Sequence, residues 1–131
     1  MMKIFLDENL SEHVADALNS LNIGYFQGID VVSTKKEIGT GKADSEIIPV
    51  IGEENGILVT QDNDFRKESA IYGLCKKYNL GVIFLAPANG LNRHWDLVKL
   101  LIKNWEELIK LCNSRRPFAY RITTRGGLKK L

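Results

Sequence analysis

The stretch Ile57-Leu58-Val59-Thr60-Gln61-Asp62-Asn63-Asp64-Phe65 decides how the rest of the chain reads. A short apolar run bounded by polar residues is the mark of a strand buried on both faces, and here it stops directly at two aspartates. The same form recurs upstream, where Lys3-Ile4-Phe5-Leu6 stops at Asp7, and downstream, where Val82-Ile83-Phe84-Leu85 is closed by Ala86-Pro87. Further strands are expected around residues 29–32 and over 118–123. Between the strands the spacing turns helical. Leu10, Val14, Ala17, Leu18 and Leu21 form one stripe, with Asn9 or Ser11 as its cap. Asp44-Ser45 opens a second helix carrying Ile47, Ile48, Val50 and Ile51, shortened or kinked by Pro49 if Ser45 is the cap. Ile71, Leu74, Cys75 and Tyr78 mark a third. The longest is expected over 95–112, with Val98, Leu101, Trp105, Leu108, Ile109 and Cys112 on one face. Residues 34–43 read as a polar, glycine-punctuated loop, and Gly126-Gly127 as a loosened end. Strands alternating with helices predict an α/β domain with a mostly parallel sheet of about five strands and helices on both sides. The pattern leaves strand order open.

At 131 residues the chain is expected to be one domain, 1–131, large enough to fold without disulfide or structural metal. Charged residues at 26% and hydrophobic residues at 44% argue against disorder, collagen and coiled coil. No apolar run is long enough to span a membrane, and the early acids Asp7 and Glu8 speak against a signal peptide. Cys75 and Cys112 lie far apart with no Cys-x-x-Cys, which suits a reduced, cytoplasmic protein. The net charge of +2 hides an asymmetry. Residues 113–131 hold Arg115, Arg116, Arg121, Arg125, Lys129 and Lys130 and no acid, so this tail carries +6 on a body that carries −4. A basic end on an acidic body suits a polyanion. It equally suits a solvated terminus.

In open α/β sheets ligands bind beyond the carboxyl ends of the strands. Asp7 and Glu8 follow the first strand, Asp62 and Asp64 the third, and Asp44 with Glu46 opens a helix. Singly, each has a structural alternative: Asp44 and Asp64 as helix caps, Asp7 as acceptor of backbone N–H groups in the turn behind it. Together they are expected to converge. Two carboxylates about 4 Å apart repel by roughly 4 kcal/mol at an effective dielectric near 20, so such a cluster calls for a cation. Carboxylate donors without Cys or His select a hard one, Mg²⁺ or Mn²⁺. His13 and His94 do not fit the cluster. A site of this kind activates water and stabilises in-line displacement at phosphorus, and the basic tail would then hold a phosphate backbone. There is no P-loop, no Gly-x-Gly-x-x-Gly after a strand and no Gly-x-Ser-x-Gly elbow. The two cysteines and two tryptophans, Trp95 and Trp105, fall on helices and are expected in the core.

The segments Leu-Asp-Glu-Asn-Leu-Ser (6–11), Ala-Asp-Ser-Glu-Ile-Ile-Pro (43–49) and 57–65, in this order, resemble the PIN-like superfamily, and more narrowly the small PIN-like toxins of Vap-type toxin–antitoxin pairs. The likeness extends through Phe84-Leu85-Ala86-Pro87 to the Phe-Ala-Tyr-Arg-Ile segment near the tail. It implies a three-layer α/β/α sandwich and a metal-dependent endoribonuclease. It assigns metal-ligand and catalytic roles to Asp7, Asp44, Asp62 and Asp64, and more weakly to Glu8 and Glu46. It also implies RNA as substrate, a cognate antitoxin protein and a possible homodimer. In many PIN nucleases the second acid is a glutamate within a helix, whereas the matching position here is Asp44. Two other functions compete. A non-catalytic PIN-like binding module shares every feature above. A signalling receiver has a similar acid pattern but needs a lysine just after its last core strand, where this chain has Ala86-Pro87-Ala88-Asn89.

Overall fold

A computed structural model describes residues 2–25, 28–61 and 65–131. The elements follow in the order β1 (Met2–Leu6), α1 (Glu12–Asn22), β2 (Ile29–Ser33), α2 (Thr34–Glu37), α3 (Asp44–Glu53), β3 (Ile57–Gln61), α4 (Phe65–Tyr78), β4 (Gly81–Ala86), α5 (His94–Lys103), α6 (Trp105–Lys110), a 3₁₀ turn (Leu111–Asn113), β5 (Phe118–Thr123) and β6 (Gly127–Lys130). They build one sheet in the order β2-β1-β3-β4-β5-β6. Strands β1 to β5 run parallel, and β6 returns antiparallel to β5.

Side-chain alternation along the buried strands feeds two cores. Ile4, Leu6, Ile57, Val59 and Ile83 pack under α1, α5 and α6 on one face. Phe5, Leu58, Val82 and Phe84 pack under α3 and α4 on the other. The domain is therefore a three-layer α/β/α sandwich. The outer edge of β2 is closed locally by α1: Asn19 Nδ2 donates to the Val31 carbonyl and Asn19 Oδ1 accepts the Val31 N–H, both at 2.8 Å. That removes one pairing position from an open strand edge. Among the described residues no helix is long and apolar enough to cross a membrane.

Five local features differ from the sequence expectation, the first being Trp95, expected in the core but exposed in the first turn of α5, so that only Trp105 of the two tryptophans is buried. Residues 34–37 of the expected loop coil into the short helix α2. The N-cap of α3 is Ala43 rather than Ser45, so Pro49 sits deeper than the first turn and the helix runs on through it. The helix expected over 95–112 breaks at Asn104. There the side-chain amide donates to the Leu100 carbonyl, the acceptor that an unbroken helix would give to the Asn104 N–H, which turns to Leu101 O at 3.2 Å instead. The break lets Trp105 reach α1, where its Nε1 donates to Asn22 Oδ1 at 2.9 Å. Finally, the glycines at 126–127 make a hairpin turn rather than a frayed end. Gly127 takes φ +66°, Gly126 N donates to Thr123 Oγ1, and the sheet gains a sixth strand.

Both cysteines are buried, as their helical spacing predicts. Burial pushes the Cys75 thiol up from 9.0 to about 12, and the nearby Asp44 carboxylate adds to the shift. A thiol that holds its proton more tightly when folded stabilises the native state fully below pH 9, and that contribution is lost as pH rises toward 12. Urea unfolding across that interval should show stability falling more steeply for the wild type than for Cys75→Ala.

Candidate functional site

The chain winds outward in opposite directions from β1 and β3, which makes the crevice beyond their carboxyl ends the topological switch point of the sheet. Asp7 stands there. Its N–H extends the ladder to Val59 O at 3.0 Å, so the residue belongs half to the strand and half to the turn. Its carboxylate is held from both sides. Oδ1 accepts the Asn9 N–H at 3.0 Å, and Oδ2 accepts the Gln61 N–H at 3.0 Å and the Thr60 hydroxyl. A carboxylate offers about four lone-pair positions, and three are used here. The acceptor role that the sequence offered as an alternative to a site role is thus real, and it coexists with a place in a pocket.

That pocket, about 190 Å³, is lined by Asp7, Glu8, Asn9, Thr34, Lys42, Asp44, Ile47, Thr60 and Lys67. The turn after β1, the end of β2, the loop before α3 and the start of α4 all contribute. Glu8 is partly committed, since its Oε1 accepts the Gly41 N–H at 2.7 Å and ties the 38–43 loop over the site. Asp44 is the first residue of α3 and is half-buried. Glu46 does not line the pocket. It is exposed, and its Oε2 accepts the Ala43 N–H at 3.1 Å as the reciprocal cap of α3. Asp62 and Asp64 lie outside the described residues.

Asp7 keeps about one lone-pair position beyond its three bonds, and among the described residues the Asp44 carboxylate accepts no hydrogen bond. Among the described residues no three acid, histidine or cysteine side chains form a ready metal-ligand group. What is present nevertheless has the right chemistry for a hard cation. Every donor is oxygen, and the Thr34 hydroxyl, on a residue only 1% exposed, has no hydrogen-bond partner.

Sequence reasoning missed Lys42, Lys67 and the two threonines. Lys42 sat unremarked in the glycine-punctuated loop, and Lys67 just after the aspartates at the start of α4. Thr60 carried a signal, because it opens the Thr-x-Asp-x-Asp run. Thr34 carried none. The histidines stand apart from the pocket's lining, and His94 Nε2 accepts the Ser11 N–H at 3.2 Å, tying α5 to α1.

The six tail cations do not share one surface. Arg115 and Arg116 precede β5, at the amino edge of the sheet opposite the pocket. The Arg116 guanidinium is spent on the carbonyls of Cys112, Ser114 and Asn55 and on Met2 Sδ. Arg121 points to the α4 side and pairs with buried Glu68 through both Nε and a terminal nitrogen. Arg125 lies in the β5–β6 turn at the carboxyl edge, and Lys129 and Lys130 lie exposed on the edge strand β6.

A family model described as a PIN-like domain matches residues 2–87, and the chain belongs to that family. The match takes in β1 to β4 and every residue of the pocket, while the segment from α5 onward lies outside it. The family in general includes nucleases, so the fold is of a nuclease type. Comparison with curated proteins and with solved structures returned no match.

The bond from Thr60 to Asp7 joins β3 to the turn after β1. Thr60→Val should cost about 1 kcal/mol in urea unfolding, because it leaves a partly buried carboxylate short of one donor. In an Asp7→Ala background the same change should cost about 1 kcal/mol less. Strictly additive losses would mean that the bond does not couple the two strands.

Proposed function

We propose that this PIN-like domain is a metal-dependent endoribonuclease that hydrolyses RNA phosphodiester bonds, acting in the cytoplasm as the toxin of a toxin–antitoxin pair and restrained by a small cognate protein. The observation that carries the nuclease reading is Asp7. Its carboxylate is fixed at the switch point by three donors, facing Asp44, Lys42 and Lys67 across one pocket. Belonging to a family that includes nucleases supports the same reading. The toxin role rests on the resemblance of the three acidic segments to Vap-type toxins.

Asp7 and Asp44 would hold Mg²⁺ or Mn²⁺ together with Asp62 and Asp64, with Glu8 as a further carboxylate at the rim. Such a cation supplies a water nucleophile at neutral pH and neutralises charge that builds on the phosphoryl oxygens. The chain's own residues do the rest. The three donors to Asp7 keep its carboxylate aimed without a rotamer search when substrate arrives. Asp44 faces it from the start of α3. Lys42 and Lys67 bring two ammonium groups beside the acids, giving the non-bridging oxygens of a phosphodiester a partner in an otherwise repulsive pocket. Arg125, at the same edge of the sheet, is the tail cation best placed to meet a strand that runs past the pocket.

Single-stranded RNA should be cut in the presence of Mn²⁺, and Asp7→Asn should lower the rate by roughly a thousandfold, as loss of a preorganised charged group does. Mn²⁺ should also raise the melting temperature of the wild type and leave that of Asp7→Asn unmoved. Full cleavage by Asp7→Asn would sink the assignment. A wild-type melting shift without any cleavage would instead favour the binding module. For RNA binding by the Asp7→Asn protein, Lys42→Ala should flatten the log–log salt dependence by about 0.7, the share of one phosphate contact.

A further inference from the structure

The edge of the sheet that carries the Asp7 pocket continues past it. Pro87 follows β4 and Thr124 follows β5, so both stand at the same carboxyl edge, farther along the strand order. Helix α5 spans this edge. Its amino end is tied to the turn after β1 by the Ser11–His94 bond. Beyond its other end, Asn104 Oδ1 comes within 3.4 Å of the place a Cβ at Gly127 would take, in the β5–β6 turn. Between the helix and the strand ends lies a second cleft, of about 290 Å³.

The chemistry of this cleft has two halves. Pro87, Leu91 and Leu100 give it an apolar lining, and Leu91 is left 41% exposed. Lys99 and Lys103, both exposed, are four residues apart and so share one face of α5. Asp96 also lines the cleft, but it is engaged at the start of α5, where its Oδ2 accepts the Arg93 N–H at 3.2 Å. The loop after β4 is fastened to the end of β5 by Thr124, whose Oγ1 accepts the Ala88 N–H at 2.9 Å, and exposed Arg125 comes next in the chain. An apolar seat flanked by ammonium groups suits an unpaired base and its phosphates. The other end of the sheet has the opposite charge. Along β2 the surface collects Glu12, Asp16, Asp30 and Glu37 against Lys36. A nucleic-acid strand leaving the Asp7 pocket is repelled on that side and attracted on this one.

We infer that the α5 cleft is a docking site for single-stranded RNA, taking nucleotides that flank the phosphodiester held at Asp7. The position of that phosphodiester rests on the nuclease reading. Two strand spacings of about 4.8 Å separate the sites along the edge, a span of roughly three stacked nucleotides at about 3.4 Å each. Both lysines lie outside residues 2–87, the part matched to the PIN-like family.

The test is binding of a uridine oligomer of about ten nucleotides to the Asp7→Asn protein, so that no cleavage intervenes. Replacing Lys99 and Lys103 together by alanine should flatten the log–log salt dependence by about 1.4, two phosphate contacts at about 0.7 each. Both side chains are exposed, so the double variant keeps the fold. Lys36→Ala, on the acidic side, should leave the slope as it was. Shortening the oligomer to about three nucleotides should weaken binding roughly tenfold or more in the parent and much less in the double variant, because the short strand fills the Asp7 pocket without reaching the cleft. Polyphosphate of equal charge should bind the parent more weakly than the oligomer, since it has no base for the apolar seat. A slope unchanged by the double substitution, the same length effect in both proteins, equal binding of polyphosphate, or no binding of the oligomer at all would overturn the inference. Failure of the nuclease reading shows separately, as a wild type that binds the oligomer with the lysine-dependent slope and does not cut it with Mn²⁺.

Discussion

The carboxylate of Asp7 is the constraint on which the site depends. A parallel sheet that reverses its winding between β1 and β3 opens a crevice where two strand ends would otherwise splay, and Asp7 spans it. One side chain accepts a donor from its own turn and two from the end of β3. This bond set costs desolvation, since a carboxylate leaves water for it. It is favourable because charged acceptors make hydrogen bonds about twice as strong as neutral ones. The same bonds give the acid a single orientation, so the group that closes the fold at this point is also the group that faces the pocket.

Around it, each neighbour solves a backbone problem and faces the pocket as a consequence. Glu8 anchors the loop that carries Lys42. Asp44 begins α3, where the helix dipole favours a negative charge. Lys67 is carried on the first turn of α4. Three carboxylates and two lysines in one small volume leave an acidic balance that a cation can neutralise, and the Thr34 hydroxyl has no partner among the described residues. By contrast, two basic residues of the segment outside the family match are spent on structure. Arg116 ties the end of the helical layer to the amino edge of the sheet, and Arg121 closes on Glu68 beneath α4.

The two faces of the sheet are covered unequally. On the α3 and α4 side the helices close over their core. On the other, α1 and α5 leave large apolar side chains in water along their shared groove, and the helix after Asn104 bends away so that Trp105 can dock on Asn22.

The buried strands were legible because residues apolar on both faces leave few other places to go. Residues 118–123 came out at the expected bounds for that reason, and α1, α3 and α4 appeared where period 3.6 placed them. Asp7 at the end of β1 and Asp44 at the start of α3 were legible too, since one directly follows a strand and the other opens a helix. Four features were not legible. The break at Asn104, the sixth strand after Gly127, the helix over 34–37 and the scattering of the tail cations all depend on partners far away in the chain. A side-chain amide that captures a helical carbonyl, a hairpin strand that needs β5 beside it, and an arginine that finds Glu68 or Asn55 have no local signature. What the sequence by itself determined was the alternation of buried strands and amphipathic helices and the acids at the strand ends, because burial and periodicity act within a few residues. Only the tertiary structure decided strand order, which of the acids and lysines share a pocket, and which cations face it, because those outcomes rest on hydrogen bonds and charge pairs between segments that chain folding alone brings together.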